Sequence, residues 1–194
     1  MRIISGKYGS RRLKTLTGNN TRPTEDRVRE AVFGRLGPYF DGGIILDLFA
    51  GSGAVSLEAI SRGFDEAYLC DISRDAVRVI RENIADLGVQ QQTHVYNMGY
   101  SALIRKLAGQ GVQFDMIYLD PPFEHGIEKE AMKLIVENGL LKDDGIMIVE
   151  TVKTDEVTTD SPYYVEKTAV YGKNRITYVR KEHRYAESSI SGII

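Results

Sequence analysis

Two short stretches carry residue types able to do chemistry: Asp47-Leu48-Phe49-Ala50-Gly51-Ser52-Gly53 and Asp120-Pro121-Pro122-Phe123. In the first, an acid precedes two glycines, which let a backbone pass close to a bulky ligand without side-chain clash. The dinucleotide fingerprint asks for a third glycine, and Ser56 stands in its place. An acid inside the turn would also repel a pyrophosphate. It suits instead a ligand carrying an ammonium and a sulfonium, the charge pattern of S-adenosyl-L-methionine. Amides at the start of the following helix suit that ligand's carboxylate.

The second stretch fits the activation of an aromatic amine. The lone pair of such an amine is delocalised into its ring, so the nitrogen is a poor nucleophile. Two acceptors aimed at its hydrogens localise that pair. Asp120 offers a carboxylate oxygen and Pro121 a carbonyl. Pro121 and Pro122 have fixed φ and donate no amide hydrogen, so the corner is rigid and offers only acceptors. Phe123 can stack on an extruded base. Asp120, Pro121, Pro122 and Phe123 are therefore the catalytic candidates. The reaction they suit is in-line methyl transfer from sulfur to a base nitrogen, with orientation as the main contribution.

The other cofactor contacts follow from strand ends. A carboxylate offers two acceptor oxygens, so Asp71 can take both ribose hydroxyls. Asn97 can read the adenine amine, and Met98 can pack on the adenine face. The cofactor-binding candidates are Asp47, Phe49, Gly51, Ser52, Gly53, Asp71, Ile72, Asn97 and Met98. Cys70, the only cysteine, sits inside an apolar strand just before Asp71 and reads as core. That disfavours carbon methylation through a cysteine nucleophile. The histidines (His94, His125, His183) are scattered and there is no Cys-x-x-Cys pair, so no metal site is expected.

These motifs need elements to hold them. A helix capped by Thr24 carries Val28, Val32 and Leu36 at helical spacing. Ile44 to Phe49 reads as a first buried strand, followed by the glycine turn and a helix AVSLEAISR that ends at Gly63. Ala67 to Asp71 is a second strand. Ser73 caps the next helix, Val77, Ile80, Ile84 and Leu87 line one face of it, and Gly88 stops it. THVYN is a third strand, followed by a helix around Ser101 to Ala108. Phe114 to Asp120 is a fourth strand. A helix around Ala131, Leu134 and Ile135 precedes GIMIVE, a fifth. Strands alternating with helices imply a parallel sheet covered on both faces. From Tyr163 the pattern changes to two strands joined by a turn at Gly172 to Asn174. The expected fold is α/β and Rossmann-like, of the methyltransferase kind. Its sheet is mostly parallel and seven-stranded, with a C-terminal antiparallel hairpin and a small basic N-terminal extension. The expected division is 1–23 for the extension, 24–183 for the methyltransferase domain and 184–194 for a tail.

The 194 residues, 42% of them hydrophobic, suffice for one core without disulfides. The start MRIISGKYGS lacks the apolar core of a signal peptide, and no apolar run approaches the roughly 20 residues of a membrane span. A cytoplasmic location without membrane association is expected. Net charge is only −2, but residues 1–24 hold Arg2, Lys7, Arg11, Arg12, Lys14 and Arg22 and no acid. Such a local basic segment suits an anionic surface such as a phosphate backbone.

The sequence resembles a known family at RIISGKYGSRRLKT, TRPTEDRVREAVF, LDLFAGSGAVSLEAISRG, DPPF and VYGKNRITYVR, in that order. The family is that of the bacterial 16S ribosomal RNA guanine-N2 methyltransferases, RsmD. The resemblance covers nearly the whole chain. It implies methylation of the exocyclic N2 of one guanine in small-subunit ribosomal RNA, free or in an assembling subunit. It also implies that the segment from Arg2 to Lys14 (Arg2, Lys7, Arg11, Arg12, Lys14) holds RNA and that Arg22, Pro23 and Thr24 border the active site. Two positions depart from the family. Gly99 stands where an aspartate is usual after the third strand, and Asp71 stands where a glutamate is usual. Other readings stay open on the residues alone. One is methylation of another base amine, such as adenine-N6 of DNA or a different RNA. DNA-adenine enzymes usually carry a large recognition domain, and nothing here provides one. A non-catalytic RNA-binding assembly factor is another. A nicotinamide oxidoreductase would leave DPPF without a task.

Overall fold

The apolar run at Ile44 lies inside a seven-stranded sheet. The computed structural model describes residues 1–16, 23–122 and 126–182. The elements are α1 (Pro23–Leu36), β1 (Ile44–Asp47), α2 (Ala54–Ser61), β2 (Glu66–Asp71), α3 (Arg74–Leu87), β3 (Thr93–Asn97), α4 (Tyr100–Gly109), β4 (Phe114–Leu119), α5 (Ile127–Glu137), β5 (Leu141–Val152), β6 (Tyr163–Tyr171) and β7 (Asn174–Lys181). The strand order is β3-β2-β1-β4-β5-β7-β6. Neighbours from β3 to β5 run parallel, while β7 is antiparallel to both β5 and β6. The Rossmann-like sheet with a terminal antiparallel hairpin is thus the observed fold.

Strand alternation sorts the core into two layers. In β1, Ile45 packs with Val32, Leu57 and Ile80 on one face of the sheet, from α1, α2 and α3. Its neighbour Leu46 packs with Leu103, Leu107 and Ile135 on the other, from α4 and α5. Both β1 residues are fully buried, and such a side chain contributes about 1.5–3 kcal/mol.

Local signals set several boundaries. The Ser73 hydroxyl accepts the Ala76 amide and caps α3, and Gly88 ends that helix in the left-handed region. Helix α1 begins one residue before the expected cap: Pro23 leads it and Thr24 lies in its first turn. Proline is suited to a first turn, because no helical partner waits for its missing amide. The first strand is shorter than the apolar run, since Leu48 and Phe49 already belong to the turn. The fifth is longer, starting at Leu141 with a register shift opposite β4.

Residues 1–16 fold back on themselves through an antiparallel bridge between Arg2 and Arg12. Their turn at residues 5–10 falls around Gly6 to Gly9. Ile3 and Leu13 enter the core beside Val28 and Leu57, so this segment is packed onto the body instead of hanging from it.

Candidate active site

Parallel strands deliver their carboxyl ends to one edge, which is where β1 and β4 end. Both motifs open there into one cleft. Asp47, Phe49, Gly51 and Ser52 form one wall, and Tyr118, Asp120 and Glu150 form another. Glu25, Val28 and Arg29 of α1 and Met1, Thr15 and Leu16 of the N-terminal segment also line it.

The glycine turn is shaped by two different demands. Gly51 has φ +55, and a Cβ there would meet nothing within 4 Å, so its outer side is open. Gly53 has φ +80, and a Cβ there would come 3.1 Å from Leu69 Cδ2. Gly51 thus leaves room toward the cleft, whereas Gly53 lets the turn pack on the sheet. The Asp71 carboxylate locks the turn: Oδ2 accepts the Gly51 amide at 2.9 Å, and Oδ1 accepts the Ser73 amide at 2.8 Å. Each oxygen keeps a second lone pair.

Asp47 is 2% exposed and accepts the Ser56 hydroxyl at 3.2 Å. Burial pushes its pKa up to about 7, with a further push from Asp71, against the pull of the Ser56 hydroxyl and the Phe49 amide. A buried acid held near neutrality gains its charge when a cation arrives. An open glycine turn, an acid of this kind and spare lone pairs on Asp71 form a donor set that fits S-adenosylmethionine.

Asn97 ends β3 in register with Asp71. Its amide nitrogen donates to the Asp71 and Ile72 carbonyls, both at 3.0 Å. Two carbonyl partners fix which end is nitrogen, so Asn97 braces the loop that carries Asp71. Ile72 is 78% exposed on that loop. The Met98 carbonyl accepts the Cys70 thiol at 3.2 Å. Cys70 is fully buried, and burial, then Asp71 and Asp47, push its pKa up to about 12. It is core, as its strand position implies. Phe49 leans on Tyr100, with ring centroids 5.4 Å apart.

Asp120 follows β4 and is exposed to the cleft. Desolvation where it lines the cleft, then the charges of Glu150, Asp47 and Glu25, raise its pKa well above the usual carboxylate value. Pro121 is buried and Pro122 exposed. Phe123 lies outside the described residues.

Glu150, which no motif signalled, is 8% exposed and accepts the Tyr118 hydroxyl at 2.7 Å and the Asn174 amide. Burial raises its pKa, these two hydrogen bonds lower it, and Glu25 raises it. Glu58 was equally silent in the sequence. It is fully buried and accepts the amides of Ile4 and Ser5 at 2.7 and 3.0 Å while pairing with Arg62 and Arg29.

The cationic candidates divide. Arg2, Lys7 and Arg12 are exposed, and no ion pair among the described residues engages them. Lys14 pairs with Glu82 and Asp86, both at 3.2 Å, and those acids raise its pKa. Arg11 donates to the Asp86 carbonyl at 2.7 Å. Arg22 and the Thr24 side chain lie outside the description. Among the described residues, no helix is long and apolar enough to cross a membrane, and no group of His, Cys, Asp and Glu could hold a metal.

The same fold recurs in the ribosomal protein L11 methylase of Lactobacillus delbrueckii subsp. bulgaricus. That chain is 17% identical with a TM-score of 0.61, over 81% of this chain and 78% of that one. It recurs in SMU.776, solved in complex with SAH, at 13% identity and a TM-score of 0.65, over 80% and 49% of the two chains. Fold and site together define the class of S-adenosylmethionine-dependent methyltransferases. Within it, the family model described as "Conserved hypothetical protein 95" matches residues 1–180, and the chain belongs to this family, the RsmD family. "Ribosomal RNA small subunit methyltransferase D" of Escherichia coli K12 is 36% identical over 78% of this chain and 74% of its own length. The protein of that name from Haemophilus influenzae is 32% identical over 89% of each.

Proposed function

We propose that this protein transfers a methyl group from S-adenosylmethionine to the exocyclic N2 of a guanine in 16S ribosomal RNA of the small subunit. What carries the reading is that Asp120 and Gly51 line one cleft. Asp47, Phe49, Gly51, Ser52, Asp71, Ile72, Asn97 and Met98 would hold the cofactor, with Gly53 keeping the turn against the sheet. The cofactor supplies an electrophilic methyl group. Asp120 and the Pro121 carbonyl orient the amine, and Asp120 takes its released proton. Phe123 stacks on the base.

The acidic wall supports guanine. Guanine presents donors at both N1 and N2, whereas adenine pairs its N6 donor with an acceptor at N1. In their ionised forms Glu25 and Asp120 offer only acceptors, which suit two neighbouring donors and leave an acceptor edge unsatisfied. The names of the relatives support ribosomal RNA. Arg2, Lys7 and Arg12 supply exposed cations for its phosphates, joined by Arg11 and Lys14 of the same segment, and the proposal extends to Arg22 and Thr24.

The test is mass mapping of 16S ribosomal RNA from a strain lacking the gene, before and after incubation of its small subunits with the protein and cofactor. A single N2-methylguanine should appear. Methyl transfer to adenine, or none at all with cofactor bound, would refute the proposal.

A further inference from the structure

Asn83 of α3 is 1% exposed and belongs to neither motif. Its Oδ1 accepts the Lys14 amide at 2.8 Å. Its Nδ2 donates to the Lys14 carbonyl and to the Ser52 carbonyl, both at 3.0 Å. One side chain therefore joins the middle of the glycine turn to both backbone groups of a residue in the basic segment. A second link runs parallel to it. The Ser52 hydroxyl meets the Met1 sulfur at 3.4 Å, and the Met1 carbonyl accepts the Leu13 amide at 3.0 Å. Met1 and Leu16 themselves line the cleft.

We infer that Asn83 is a positioning residue that couples cofactor binding at the glycine turn to nucleic-acid binding on residues 2–14. The inference rests on the proposed cofactor and RNA surfaces. Its physical basis is that the buried Asn83 amide needs these three backbone partners to satisfy its own polar atoms, so displacing either the turn or the segment leaves a buried polar atom unpaired. The turn and the segment then hold or loosen together. A ligand that orders the turn orders the segment, and a second ligand meets a segment already ordered. The coupling is reciprocal: each ligand tightens the other by the same factor.

The experiment uses the whole chain. S-adenosylhomocysteine affinity is measured by calorimetry with and without small subunits, and subunit affinity with and without S-adenosylhomocysteine. The wild type should show the same gain both ways, about tenfold. In Asn83→Asp, which keeps the acceptor and loses both donors, the gain should fall toward one. In Asn83→Leu it should vanish. Hydrogen exchange on the wild type gives a readout that no variant can spoil by misfolding. S-adenosylhomocysteine should slow exchange at the Lys14 amide, whose acceptor is Asn83. Absence of coupling in the wild type, undiminished coupling in both variants, or an unprotected Lys14 amide overturns the inference while leaving the proposed function standing. A wild type that binds no S-adenosylhomocysteine removes the proposed function and takes the inference with it.

Discussion

Asp120 stands level with Glu150 across two parallel strands. The preceding pair, Leu119 with Val149, is in register, and both acids reach the same cleft. Desolvation raises the pKa of each, and the Glu150 charge raises that of Asp120 further. As a carboxylate, Asp120 can accept hydrogen bonds and protons; when protonated it cannot take the amine's proton. Activity should therefore rise with pH through the raised Asp120 pKa. Glu150→Gln removes the neighbouring charge, lowers that pKa and moves the acid limb of the kcat profile to lower pH. Asp120→Ala should reduce transfer by about 10²- to 10⁴-fold while S-adenosylhomocysteine binding measured by calorimetry stays within a few-fold. An unmoved profile in Glu150→Gln, or near-full activity in Asp120→Ala, would contradict these roles.

Asp47 sets stability against function. Its pKa rises from 3.8 unfolded to about 7 folded. The folded state thus holds the proton more tightly. The resulting stabilisation is complete below the unfolded value and is lost as pH climbs through the folded one. Thermal melting of the free protein should fall between about pH 4 and 7 on this account. Asp47→Asn should flatten that decline and leave the protein roughly 2–4 kcal/mol more stable at pH 8. The same variant should bind S-adenosylmethionine more weakly, because it has no charge to offer a cation. A variant that is less stable at pH 8 would count against this account.

Gly99 begins α4 with φ −70 and ψ 147, an extended conformation open to any residue. A Cβ there would meet nothing within 4 Å. Gly99→Asp should cap α4, with a gain of only a few tenths of a kcal/mol because glycine is itself a fair cap. It should also tighten S-adenosylmethionine binding by giving the adenine amine an acceptor. Differential scanning calorimetry and titration would read the two effects separately, and weaker binding would show that this position does not face adenine.

The basic segment should act unevenly. Arg2→Ala and Arg12→Ala should each weaken binding to small subunits and reduce the slope of log K against log salt by about one. Lys14→Ala should change that slope less, since its ammonium already faces Glu82 and Asp86. Equal slopes for all three variants would refute the distinction.

Much of the fold could be read locally. Ser73 and Gly88 bracket α3 as their capping chemistry requires, and β3 spans THVYN with no residue to spare. The family followed from motifs that keep their order along the chain. The missed parts depend on partners far away in sequence. Glu58 is charged yet fully buried, because two backbone amides of the N-terminal segment, Arg29 of α1 and Arg62 just past α2 meet it. Asn83 looks like a polar slip on an apolar helix face until Lys14 and Ser52 are seen around it. Asn97 spends its amide nitrogen on the Asp71 and Ile72 carbonyls, partners 26 and 25 residues away that no local pattern announces. Charge count likewise marked residues 1–23 as a basic extension, and it gave no sign that Ile3 and Leu13, spaced among the cations, pack into the core.

The lone sulfhydryl offers a practical gift. Cys70 has no surface in the folded chain, and its proton is held far above neutral pH, so an alkylating dye can label it only when the sheet opens. Labelling speed then reports the opening equilibrium of the unaltered protein. Any compound that closes the molecule, cofactor or inhibitor, can be ranked by how far it slows the dye.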